Sequence, residues 1–245
     1  MNIKDTDIYV CHYTKLKDRK LAFDNQLEKF DLTNNTTFIT HYDYEELHDN
    51  DLQYFDTQTL TLKEISLFIK HIQAWKNIVS SGKDCGIVME DDCIFNDNFV
   101  DDFNNLLINY PENFDILYVG TFPFYEYNPN PVPSSASLVG NFYDMSISTV
   151  FPWTGNNKGT DFYIISKNFS QKLINLSKDK SIKGFLSTSN IIHSSKINIA
   201  IDWWLGQCSR MLEAKIYWLN TEISKHGSWG KDKIFSNSLE DQRGF

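Results

Sequence analysis

Cysteine is scarce in this chain: Cys11, Cys85, Cys93 and Cys208 are the four in 245 residues. They are scattered, none stands in a C-x-x-C pair, and three lie in or beside apolar runs, where a reduced thiol behaves as a small hydrophobe. Neither a disulfide framework nor a zinc site of paired cysteines is expected. An excess of positive charge is missing too. The formal net charge is -9 and no basic stripe stands out, which argues against a nucleic-acid partner held through phosphate contacts. Met1-Asn2-Ile3-Lys4-Asp5 lacks an apolar signal core, and no run is apolar enough to span a bilayer. The expectation is a soluble, cytoplasmic protein with no transmembrane segment. No internal repeat and no compositional break marks a boundary, so residues 1–245 are expected to form a single domain, long enough to bury a sizeable core.

What is present is an aromatic-rich globular composition, 41% hydrophobic and 15% aromatic, organised around one stretch. Gly86-Ile87-Val88-Met89 is a short apolar run preceded by Gly82 and ending in Glu90-Asp91-Asp92. That pattern fits a buried strand of an α/β sheet emerging at the carboxyl edge, where open sheets bind ligands. Three adjacent acids repel one another, and a cation offsets that repulsion. Hard oxygen ligands suit Mg²⁺ or Mn²⁺, which commonly bridge to substrate phosphates. A solvated turn or a helix N-cap explains the triplet equally well at this point.

Around it, Asp7 to Tyr13 reads as a first strand. A polar, basic loop with Thr14 and Arg19 follows and leads into a helix through Phe23 and Leu27. Such a loop is either a nucleotide-binding edge or an ordinary solvated helix start. Thr36 to His41 reads as a second strand. Thr61-Leu62-Lys63-Glu64 is a capping box opening a helix whose apolar residues, Ile65 to Val79, recur at three- and four-residue steps and which Ser80-Ser81-Gly82 ends. Within it, His71 reads as structural rather than as a ligand. Phe95 to Leu107 reads as a polar loop entering a helix, and Asp115 to Gly120 as a parallel core strand. Thr121 to Thr160 reads as a long irregular region whose aromatics either stack on sugar rings or pack the loop down. Thr160 to Ser166 is a strand, Asn168 to Leu176 a helix, and Lys178 to Lys196 a surface loop. A helix opens at Ile201-Asp202-Trp203, Lys215 to Leu219 reads as the last strand, and His226 to Gly230 ends the ordered pattern.

Several blocks together resemble glycosyltransferase family 25, the family of bacterial lipooligosaccharide and collagen galactosyltransferases. Lys63 to Trp75 is similar to its G-E-I-G-C-x-x-S-H-x-x-x-W block, and the strand ending Glu90-Asp91-Asp92 to its E-D-D. Tyr9-Val10 with Lys17-Asp18-Arg19 resembles its first strand and Arg. Gly159 to Ser166 resembles G-T-x-x-Y-I-I-S, and Ile201-Asp202 a later I-D. The blocks fall in the family's order over about residues 7 to 204. Lys63, Ser66, Leu67 and Lys70 depart from it, standing where the family has Gly, Gly, Cys and Ser, whereas Glu64, His71 and Trp75 are kept.

The resemblance implies an α/β GT-A fold with a single mixed, mostly parallel sheet flanked by helices, its nucleotide-sugar half at about 1–120 and its acceptor half at about 121–245. It further implies a UDP-sugar donor, a glycan or glycoprotein acceptor, Mn²⁺ (or Mg²⁺), and inversion at the anomeric carbon. Carried over, Glu90 and Asp92 are the metal pair, with His226 completing the sphere. Asp91 lies toward ribose or sugar, and Thr14 and Arg19 face the nucleotide. Asp202 is the candidate base, since an inverting displacement needs a carboxylate to take the acceptor proton; a helix N-terminal acid is the alternative reading of that residue. A nucleotidyltransferase and an inactive sugar-nucleotide- or glycan-binding relative are the competing classes.

Overall fold

The central strands are apolar at every position rather than at alternate ones. All four residues of β1 (Ile8–Cys11) are buried, which a strand requires only when both faces of its sheet are covered. The computed structural model describes residues 1–120, 136–146, 159–178 and 196–228, and it shows both covers. Ile8 and Val10 join one apolar layer with Phe23 and Leu27 of α1 (Lys17–Lys29) and Phe99 and Phe103 of α4 (Phe99–Leu106). Tyr9 and Cys11 join the opposite layer. There they meet α3 (Leu62–Ser80), α5 (Lys167–Lys178) and α6 (Ile201–Met211), whose Trp75, Leu173 and Trp204 are buried. The short α2 (Asp49–Leu52) lies in the connection before α3.

Among the described residues the sheet has eight strands in the order β2 (Thr36–Ile39), β1, β3 (Cys85–Glu90), β8 (Phe162–Ser166), β5 (Ile116–Tyr118), β9 (Ile216–Leu219), β7 (Phe142–Asp144) and β6 (Ser137–Val139). β1 is parallel to β2 and β3, and β5 to β9; β8 and β7 run against their neighbours. The expected mixed sheet, most of its strands sharing one direction and helices on both faces, is therefore present, but it is not the single sheet expected, because a separate two-stranded sheet accompanies it.

α3 begins where the capping box places it. Thr61 Oγ1 accepts from the Glu64 N–H at 3.2 Å, and the Glu64 carboxylate accepts from the Thr61 N–H at 2.9 Å. It ends at Ser81, and Gly82 follows at φ +82°, a left-handed turn that glycine adopts without steric cost. Other expectations need correction. Phe95, expected at the start of a polar loop, instead ends a short strand, β4 (Cys93–Phe95). Its antiparallel partner β10 (Ser224–His226) makes Lys215–Leu219 the penultimate strand rather than the last, and places His226 within ordered structure. Three-residue strands of this kind carry no periodic signal and exist through pairing across the fold. Within 121–160, the described residues include the β6–β7 hairpin at the sheet edge. Residues 121–135, 147–158 and 179–195 lie outside the described residues. β5 is parallel to β9 as expected, but antiparallel to β8.

All four cysteines are free. Among the described residues no helix is long and apolar enough to cross a membrane. Thr61→Ala should remove one side of the capping box and destabilise the fold by about 1 kcal/mol. A thermal melt should then shift down by about 2–4 °C at this chain length, and an unchanged midpoint would show that α3 is held by packing alone.

Candidate active site

Parallel pairing of β1 with β3 sets Cys11 beside Glu90, so His12 and Asp91 leave the sheet side by side at its carboxyl edge. His12 Nδ1 stands 2.6 Å from Asp91 Oδ2. Arg19, in the first turn of α1, reaches back into the same edge. Its Nη1 donates to Asp91 Oδ1 at 3.1 Å and to Asp92 Oδ2 at 3.5 Å, and its Nη2 donates to Ser228 Oγ at 2.8 Å. The Ser228 hydroxyl in turn donates to Asp92 Oδ2 at 2.7 Å. Pairing of β10 with β4 carries the chain there: Gly227 N–H donates to the Asp92 carbonyl at 2.7 Å, and His226 Nδ1 lies 3.7 Å from Asp92 Oδ2.

Antiparallel pairing of β3 with β8, Met89 opposite Phe162, brings the residues before β8 alongside Glu90. Glu90 N–H donates to the Asp161 carbonyl at 2.9 Å, and Thr160 Oγ1 donates to Glu90 Oε1 at 2.6 Å. Gly120 makes this approach possible, because a Cβ there would overlap the Asp161 carboxylate. From α3, His71 Nε2 stands 3.5 Å from Glu90 Oε1. Its Nδ1 bonds the Tyr163 hydroxyl at 2.8 Å, and Trp75 Nε1 donates to that hydroxyl at 3.0 Å. His71, expected to be structural, is buried between Tyr163 and the acidic edge.

Burial alone would raise Glu90; His71 and Thr160 outweigh it and hold the carboxyl below its ordinary value. His71 is the reciprocal case. Burial favours the neutral imidazole, but Cys11 and Glu90 push it up to about 10. Asp92 goes the other way: burial raises it, and His226 and Arg19 do not fully offset that. His226 is raised despite its burial, by the carboxylates of Asp92 and Asp161. Asp202, in the first turn of α6, is pushed up to about 6, by burial first and then by the charge of Glu90, against bonds from backbone N–H groups that lower it.

A cleft opens over this edge. Five of the residues expected from the sequence line it together: Arg19, Glu90, Asp91, Asp92 and His226. Thr14 does not line it; the Thr14 N–H, at 3.1 Å, and its hydroxyl both donate to Asp43 Oδ2. Asp202 lies outside the lining as well, yet close enough to Glu90 to feel its charge. His12, Asp43, Lys70, Thr160 and Ser228 were given no site role from the sequence. His12 had a signal in its place directly after a strand that pairs beside the triplet, Lys70 in its departure from the family block and Thr160 in the matched G-T block; Asp43 and Ser228 had none.

Among the described residues no three His, Cys, Asp or Glu side chains converge to cage a metal ion. Mg²⁺ and its like are ordinarily held by one or two carboxylates plus substrate phosphates, not by an all-protein cage. Asp92 Oδ1 is buried with no hydrogen-bond partner, and Glu90 and His226 share its cleft. These residues fit an ion that arrives with a phosphate-bearing ligand.

Residues 5–184 match the family model described as glycosyltransferase family 25 (LPS biosynthesis protein). Among solved structures, the crystal structure of mouse xyloside xylosyltransferase 1, apo form, is similar at a TM-score of 0.36 and 12% identity, over 87% of this chain and 71% of that one. No curated protein matches the sequence.

Arg19→Met should cost about 3–5 kcal/mol, the penalty of leaving buried carboxylates without their cation. The sign of its pH dependence follows from Asp92. An acid whose folded value lies above its unfolded one binds protons preferentially in the native state, so stability falls as pH rises through that range. Removing the guanidinium raises Asp92 further. Denaturant melts should therefore show a larger deficit for the variant at pH 7 than at pH 5; an equal deficit would mean that Arg19 acts by packing rather than by charge.

Proposed function

Because the chain belongs to glycosyltransferase family 25, we propose that its cleft moves a hexose, galactose or glucose, from a UDP-sugar to a hydroxyl of a glycan or glycoprotein, with inversion and with the help of Mn²⁺ or Mg²⁺. Glycosyl transfer is the reaction class of the family; the hexose, the UDP donor and inversion are what the family resemblance implies, and the metal is the term the site supports. The observation that carries it is Asp92, a buried carboxylate with one oxygen unpartnered and its charge incompletely offset by its neighbours. Such a group favours an added cation.

An ion held by Asp92 and Glu90, with His226 beside them, would act as a Lewis acid toward the departing diphosphate. The chain's own residues supply the rest. Arg19 presents a fixed positive charge at the cleft floor. Asp91, engaged by His12 and Arg19, meets the ribose or sugar with its remaining lone pairs. Asp202 takes the proton of the acceptor hydroxyl as that oxygen bonds to the anomeric carbon and the bond from that carbon to the phosphate oxygen breaks, UDP leaving with the electron pair. A carboxylate held at about 6 is ionised at neutral pH and still basic enough to accept a proton in the transition state.

UDP release should be detected with one member of a UDP-sugar panel in the presence of Mn²⁺, and should disappear with chelator and in Asp92→Ala. No release from any donor by the folded, metal-supplied protein would overturn the reading. Asp202→Asn should lower kcat roughly 10²–10⁴-fold. In the wild type, kcat/KM should be flat at neutral pH and fall below about pH 6 as Asp202 takes up its proton; a profile flat down to pH 5 would remove Asp202 from the role of base.

A further inference from the structure

The four α3 residues that depart from the family pattern, Lys63, Ser66, Leu67 and Lys70, all line the cleft. Three of them meet one short turn after β2. Ser66 Oγ donates to the Tyr42 carbonyl at 2.6 Å, Lys70 Nζ donates to Asp43 Oδ1 at 2.5 Å, and Lys63 Nζ lies 5.5 Å from the centre of the Tyr44 ring. Tyr42 itself has φ +70°, a conformation a bulky residue keeps only when its surroundings impose it. The side chains of Lys70 and Asp43 are each 3% exposed.

The same ion pair reaches the loop after β1. Lys70 Nζ also donates to the His12 carbonyl at 2.5 Å, and Asp43 Oδ2 accepts from Thr14. The residues on both sides of Tyr13 are thus tied to one buried pair, and Tyr44 follows Asp43 directly. The Tyr13 and Tyr44 rings meet at 5.3 Å, tilted by 35°, and both line the cleft. A buried ion pair adds little net stability compared with apolar residues of the same volume, but it fixes geometry. Fixing a binding wall in advance lowers the ordering cost of a ligand.

We propose that Lys70 and Asp43 are positioning residues for the donor: their ion pair holds the Tyr13–Tyr44 wall of the cleft in its binding geometry and thereby sets donor affinity. This rests on the glycosyltransferase reading and assigns a role to residues that otherwise look like decay of a motif. Neither residue touches the reacting atoms, so the effect belongs in donor binding and not in the chemical step.

The test uses the full chain with UDP and Mn²⁺ in calorimetry, and the preferred donor in turnover. In the double variant Lys70→Met/Asp43→Leu both charges leave together, so no buried ion is stranded, and its melt should lie near that of the wild type. Its Kd for UDP and KM for the donor should nevertheless rise about tenfold while kcat stays within about threefold. A Kd and KM within twofold of wild type would show the pair to be merely structural and overturn the proposal. Should the double variant not fold, Thr14→Val keeps the pair and deletes one bond to Asp43. It should weaken UDP about threefold, and unchanged affinity overturns the proposal equally. Wild-type protein that binds no UDP would instead overturn the donor reading beneath it, a result the variants cannot produce.

Discussion

Three carboxylates on consecutive residues can leave water at one strand end only if each finds a compensating partner of its own. Two unit charges 4 Å apart interact by about 4 kcal/mol at the effective dielectric near a protein surface, so the cluster cannot be left to itself. The partners come from every side. β1 and α1 bring His12 and Arg19 to Asp91, α3 and the entry to β8 bring His71 and Thr160 to Glu90, and the segment after β10 brings Ser228 to Asp92. Arg19 bridges two of the acids and the serine at once. Docking of these elements and neutralisation of the edge are one event, because the cluster is tolerable only when all of them are seated.

Sheet topology makes that convergence possible. If β8 ran parallel to β3, its first residues would lie at the opposite edge and Glu90 would face the end of β8. The antiparallel insertion places Thr160 and Asp161 beside Glu90, and Gly120, by lacking a side chain, leaves room for the Asp161 carboxylate. Beneath this, Trp75 and His71 are joined by hydrogen bonds through the buried Tyr163 hydroxyl, and the other ring nitrogen of His71 lies 3.5 Å from Glu90 Oε1. Little of this is net stabilisation, since buried ion pairs are roughly matched by their desolvation. The stability resides in the two apolar layers, where Phe99, Phe103 and Phe162 pack on one face and Phe68, Trp75 and Trp204 on the other.

What could be read from sequence divides along the same line. Signals within ten or twenty residues were legible. Examples are the capping box at Thr61–Glu64, the apolar run of β3 with its acidic end, and the strand at Phe162–Ser166. Pairings across the fold were not. β4 is three residues long and becomes a strand only because Ser224–His226 lies against it. Ser228 meets Asp92 across 136 positions and Arg19 across 209, and nothing near Ser228 in the chain announces either contact. Lys70 is the sharpest case. On a helical wheel a lysine beside apolar residues reads as a solvated edge, whereas in the fold it is buried against Asp43, a residue in a loop with no pattern of its own.

That case bears on how departures from a family pattern should be weighed. The cleft floor is constrained electrostatically: altering any one acid or its partner leaves a buried charge exposed to the others. The wall built by α3 is constrained differently, because Lys63, Ser66 and Lys70 all contact the turn 42–44, and Lys70 also donates to the His12 carbonyl. A lone Lys70 would be a buried cation without compensation, and a lone Asp43 a buried anion; each makes sense only with the other in place. Three of the four departures therefore share one turn as their partner and are not a scatter of independent losses. A wall that can be rebuilt as a unit above an unaltered floor is the arrangement in which the ligand bound can diverge while the chemistry at the strand ends is kept.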